Sequence, residues 1–150
     1  MKVEIDPKTH ITKNFQFEEL ANNKAKDAVK CIYNDEIKLF AEMLQELRDW
    51  YNKAIKCNSW YRTPSFNQSP ECKGNKNSLH LKGLAFDWGV KHTAVQHQHV
   101  EKKWKEICER YKVIGGINHY TGGYHLSIHE EQFGNKTFTV RDYRGRKGDW

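Results

Sequence analysis

The chain has 150 residues, of which 37% are hydrophobic, 29% charged and 13% aromatic, a length that suits one domain around one core. This profile excludes disordered, collagen-like and disulfide-scaffold classes, and no apolar run approaches the ~18 residues of a membrane span. A net charge of +6 favours anionic partners such as nucleic acid, acidic lipid or an anionic wall polymer. The basic residues are scattered, however, and no one-sided Lys/Arg stripe speaks for nucleic acid. Residues Met1 to Pro7 lack the apolar segment of a secretory signal. Cys31, Cys57, Cys72 and Cys108 form no CxxC pair, so reduced thiols are expected.

In chain order, residues 11–24 read as a short helix with Asn14 as N-cap and Phe15 and Phe17 to Leu20 as its apolar anchors. The strongest helix signal follows Asn34-Asp35. Ile37, Phe40, Met43, Leu44, Leu47, Trp50 and Tyr51 recur there at three- and four-residue steps. Ile55 to Tyr61 reads as a strand that Arg62-Thr63-Pro64 ends, and residues 63–79 as a long polar loop. Leu84 to Val90 is a second strand. Thr93 to Tyr111 is a second long helix, carried by Val100, Trp104, Ile107 and Tyr111. Val113 to Tyr120, Tyr124 to Glu130 and Thr137 to Tyr143 read as a meander of strands joined by turns. The order predicts a single α+β domain over residues 1–150, with two main helices and a mainly antiparallel sheet.

Two segments carry chemistry. In Ser78-Leu79-His80-Leu81-Lys82-Gly83-Leu84-Ala85-Phe86-Asp87, strand alternation puts Leu84, Phe86 and Trp88 on one face and Asp87 on the other, between the small residues Ala85 and Gly89. Gly83 permits a turn that returns His80 toward that carboxylate. In Tyr124-His125-Leu126-Ser127-Ile128-His129, the apolar residues share one face and His125, Ser127 and His129 the other. Two imidazoles and one carboxylate with an open fourth position make the catalytic zinc pattern. By spacing alone, a structural His–Asp pair and a solvated His-bearing strand are the commoner readings of such segments.

The pattern Ser-x-His-x-x-Gly-x-Ala-x-Asp, at Ser78, His80, Gly83, Ala85 and Asp87, resembles the signature of the zinc D-alanyl-D-alanine carboxypeptidase family, which shares its fold with the hedgehog signalling domain. Ile11 to Phe15 with Glu18-Glu19-Leu20 is similar to the start of that family's short phage and bacterial branch. Asn58-Ser59-Trp60-Tyr61-Arg62-Thr63-Pro64 looks like its Asn-Ser-Gly-Tyr-Arg-x-Pro strand end, with Trp60 in place of the usual Gly. Ile114-Gly115-Gly116-Ile117 leading to His125 looks like the segment of the third ligand.

The resemblance implies a DD-peptidase-like fold and zinc held by His80, Asp87 and His125. It implies that Arg62 steadies an oxyanion, that Ser78 contacts substrate or holds the His80 turn, and that the substrates are peptidoglycan peptides. It implies a monomer acting at the bacterial wall as a phage or prophage endolysin, or else a non-catalytic wall-binding or phage structural domain of the same fold. One feature departs from the family. Relatives place an acid three residues before the third ligand or two after it, where this chain has Gly122 and Ser127. His119 is then the expected general acid or base, with Glu130 and Glu131 beyond it. His92, His97 and His99 are expected to be solvated, and His129 lies too far along its strand to share the metal.

Overall fold

The computed structural model describes residues 9–21, 33–70, 72–147 and 149–150. Two 17-residue helices dominate: α2, Asp35–Tyr51, and α4, Ala94–Arg110. Each begins on a side-chain cap that satisfies an otherwise orphaned backbone N–H, Asn34 Oδ1 accepting from Ile37 N and Thr93 Oγ1 from Gln96 N. The one-turn helices are α1, Phe17–Leu20, and α3, Pro64–Asn67. The strands are β1 Cys57–Ser59, β2 Ala85–Gly89, β3 Gly116–Tyr120, β4 Gly123–Ser127 and β5 Thr139–Asp142. Two 3-10 turns, Leu79–Lys82 and Glu130–Phe133, precede β2 and follow β4.

The sheet order is β1-β2-β4-β3-β5. The three pairings from β1 to β3 are antiparallel, but β5 lies parallel to β3, with Gly116 beside Thr139 and His119 beside Asp142. The sheet is therefore mixed, which corrects the expected antiparallel meander. The reason is positional: β4 is flanked by β2 and β3, and the chain leaves it at the end where β3 begins. The open edge within reach is that of β3, and a strand entering there runs in the β3 direction.

One face of the sheet carries Phe86, Trp88, Ile117, Tyr124 and Leu126, all buried, against Phe40, Leu44 and Leu47 of α2 and Trp104 and Ile107 of α4. Trp60 sits at the centre of this core, edge-on to Phe15, Phe40 and Phe86 at centroid distances of 5.4–6.0 Å. Its indole N–H donates to Gly83 O at 2.8 Å, so the large side chain is buried with its polar atom satisfied. Gly83 itself has φ of 72°, and a Cβ there would stand 2.9 Å from Ile37 Cδ1. Both its conformation and the close approach of α2 require glycine.

The N-terminal helix is shorter than expected. Its cap is Gln16, whose N–H donates to Glu19 Oε1 at 3.1 Å, while Asn14 pairs with Gln45 of α2. Residues 22–24 of the expected helix lie outside the described residues. The loop at 63–79 contains α3, which starts on Thr63 as cap with Pro64 in its first turn.

Candidate metal centre

The face of the sheet opposite the helices presents Asp87 from β2, His125 from β4 and Asn118 from β3 in one row, since Asp87 pairs with His125 and His125 with Asn118. His80 arrives from the 3-10 turn ahead of β2. Gly83 in the left-handed conformation ends that turn, as its sequence position suggests.

His80 and its partners decide what the cluster can hold. His80 Nδ1 lies 2.6 Å from the Trp60 carbonyl oxygen, which can only accept, so Nδ1 carries the hydrogen. Burial depresses the His80 pKa ahead of every other influence; Asp87 opposes this, and His125 and Arg62 reinforce it. Its Nε2 faces Asp87 Oδ1 at 3.2 Å. Burial pushes the Asp87 carboxyl up, but the charges and hydrogen bonds of His80 and His125 outweigh it and hold the group well below the usual carboxylate range. His125 Nδ1 faces the same Oδ1 at 2.9 Å. Each nitrogen can donate to this oxygen when it carries a hydrogen, and when neither does, the two nitrogens and the oxygen can turn their lone pairs to one cation.

The three ligand atoms lie within 4.8 Å of one another. Two imidazole nitrogens and one carboxylate oxygen are the donor set that zinc takes in catalytic sites, and a ligand histidine typically donates its other N–H to a carbonyl or carboxylate, as His80 does to Trp60.

A family model described as Peptidase M15 matches residues 13–129. The chain belongs to the peptidase M15 family. No curated relative and no solved structure matched it. In this M15 chain the matched span includes all three residues of the cluster, together with Arg62 and Ser78.

Arg62 meets the cluster from the far end of β1. Its Nη2 donates to Asp87 Oδ2 at 3.1 Å and its Nε to Ser59 Oγ at 3.0 Å. The guanidinium thus orients the carboxylate through the oxygen that faces neither imidazole. Arg62 and Asp87 also line an open cleft of about 360 Å³ with Asn58, Phe66 and Trp150. Ser78 caps the His80 turn, its Oγ accepting from His80 N at 3.2 Å, and it borders a second cleft beside His125.

His119 is not brought to the cluster. It pairs with Tyr124 across β3 and β4, which places it with Ile117 on the helix-covered face, buried at 3% exposure. Its ring nitrogens meet His97 Nδ1 at 3.0 Å and Glu101 Oε1 at 2.7 Å. His97 is buried beside it rather than solvated. His92 lies between the hydroxyls of Tyr51 and Tyr124, at 3.0 and 2.7 Å, so it too departs from expectation, whereas His99 is exposed. His129, two residues past β4, starts the following 3-10 turn in a left-handed conformation and pairs with Glu131 Oε1 at 3.1 Å, outside the cluster. The features that sequence reasoning missed are the Trp60 carbonyl, which carries no side-chain signal, and Trp150, whose ring stacks on Tyr120 at 4.7 Å.

Proposed function

We propose that this M15 peptidase is a zinc enzyme that hydrolyses peptide bonds in peptidoglycan stem peptides or cross-links. The observation that carries the reading is the convergence of ligand atoms from His80, Asp87 and His125 within 4.8 Å of one another, with the other ring nitrogen of His80 held by the Trp60 carbonyl. Zinc bound there would act as a Lewis acid on the scissile carbonyl and make water a competent nucleophile near neutral pH. Arg62, already fixed by Ser59 and Asp87, retains further N–H donors toward the open cleft. Those donors suit the oxygen of a carbonyl as it gains charge. Ser78 borders the substrate side of the site while holding the His80 turn.

The wider reading is an endolysin-like carboxypeptidase or endopeptidase of phage or prophage origin, working as a monomer on the bacterial wall. The net charge of +6 suits attraction to an anionic wall polymer. Among the described residues no helix is long and apolar enough to cross a membrane.

The test is incubation of the zinc-loaded protein with defined muropeptides, with and without chelator. Cleavage that chelator abolishes and zinc restores supports the proposal. A zinc-loaded protein inert on every muropeptide contradicts it and favours a wall-binding or phage structural domain on the same fold.

A further inference from the structure

The site face of the sheet has a second row one strand repeat, roughly 7 Å, along from Asp87, His125 and Asn118. Ala85, Ser127 and Gly116 occupy it, in register with one another. These small residues leave space above the sheet. Glu130, at the start of the 3-10 turn after β4, folds its side chain back into that space. Its Oε1 accepts from Ser127 Oγ at 2.6 Å, and a Cβ on Gly116 would stand 3.1 Å from both Glu130 Oε1 and Ser127 Oγ. The Glu130 Oε2 has a long contact with Asn135 Nδ2 at 3.4 Å.

Glu130 is only 4% exposed, yet its partners Ser127 and Asn135 are neutral. Burying a carboxylate against neutral groups is costly. Its surroundings suit a working role. Glu130 lines a cleft of about 270 Å³ whose wall also includes His125, Asn118 and Ser78. The carboxylate therefore reaches the same cleft as a cluster ligand, from a sequence position that periodicity assigned to the end of a strand.

The geometry points to Glu130 as the catalytic carboxylate of this site, held in place by Ser127. The inference rests on the hydrolase reading above. In the step it serves, water adds through its oxygen to the amide carbon and gives one proton to Glu130. The carbon–nitrogen bond then breaks, Glu130 returns that proton to the leaving nitrogen, and the products are a carboxylic acid and an amine. One water is consumed, and no oxidant or reductant is needed. The cleft that Glu130 shares with His125 leaves room for transfer through a bridging water.

The test compares the zinc-loaded wild type with Glu130→Gln on a defined muropeptide. Turnover, KM, zinc content and calorimetric affinity of the variant for the intact muropeptide are read together. The expected result is a fall in kcat of about a hundredfold or more, with KM, zinc content and affinity unchanged. An unchanged kcat overturns the inference. So does a raised KM with kcat retained, which makes Glu130 an anchor for a substrate ammonium. If Glu130→Gln fails to fold, Glu130→Ala with added formate decides: partial recovery of rate by the small carboxylate supports the role, and none contradicts it. A wild type inert on muropeptides defeats the hydrolase reading itself; an active wild type matched by an active Glu130→Gln defeats this inference alone.

Discussion

Arg62 Nη2 donates to Asp87 Oδ2 at 3.1 Å, while the other oxygen of the same carboxylate faces His80 and His125. One carboxylate thus divides its work, with one oxygen for the cluster and one for the guanidinium. Rotation of Asp87 would break both relations at once. Arg62 is itself held by Ser59, so the guanidinium is anchored independently of the carboxylate.

Arg62→Ala should therefore keep the fold, lower turnover by about a hundredfold or more, and weaken zinc retention only modestly. Arg62→Lys should not restore the rate, because one ammonium cannot reach Ser59 and Asp87 in the planar arrangement of a guanidinium. Steady-state kinetics beside elemental analysis checks both. Full rate in Arg62→Lys would mean that charge alone suffices.

His119→Ala should leave zinc content and muropeptide turnover close to wild type, since the ring lies on the helix-covered face with His97 and Glu101. The variant should instead lose stability, because His97 and Glu101 each lose a partner. Chemical denaturation and kinetics on one preparation decide this. A large loss of kcat without loss of stability would return His119 to the chemistry.

His97 gives the protein a pH dependence of known sign. Burial is the main cause that lowers its pKa to about 4, with Arg144, His119 and His92 acting the same way and Asp142 opposing. An unfolded histidine titrates near the ordinary imidazole value of 6.5. Between these two values the unfolded chain binds a proton that the folded chain does not, so stability falls as pH drops through that window. Thermal unfolding from pH 7 to 4 should show the decline, and His97→Gln should flatten it. A profile unchanged by the substitution would assign the decline to other groups.

Trp60→Ala should destabilise the protein by about 3–5 kcal/mol, the usual cost of emptying a large aromatic site in a core. Trp60→Phe should cost less by packing, but it strands the Gly83 carbonyl that the indole N–H satisfies. Urea denaturation of both variants measures this. An Ala variant as stable as wild type would mean that neighbouring rings collapse into the space.

The parts of the fold legible in the sequence are those written in local periodicity. Ile37, Phe40, Leu44 and Leu47 marked α2, and alternation around Phe86 and Leu126 correctly turned Asp87 and His125 away from the core. The parallel placement of β5 was not legible, because the sequence of Thr139–Asp142 carries no sign of which edge it joins. His119 was legible in principle. Counting two residues from buried Ile117 along the expected strand puts it on the core face, but the lack of an acid at Gly122 and Ser127 drew it into the chemistry instead. Gln16 was missed as a cap because its side chain is not a favoured capping group, and the Glu19 carboxylate that receives its N–H lies three residues on. Glu130 was named only behind His119, because a 3-10 turn reverses its side chain onto the sheet, a reversal that strand alternation cannot anticipate.

Zinc titration of the metal-free protein, followed by calorimetry on wild type and on His80→Ala, Asp87→Ala and His125→Ala, tests the central claim most directly. The account predicts one tight equivalent in the wild type, and affinity lowered by orders of magnitude in each variant, with binding weakening as acid protonates the imidazoles. Full, tight zinc binding by any one of the three variants would contradict it.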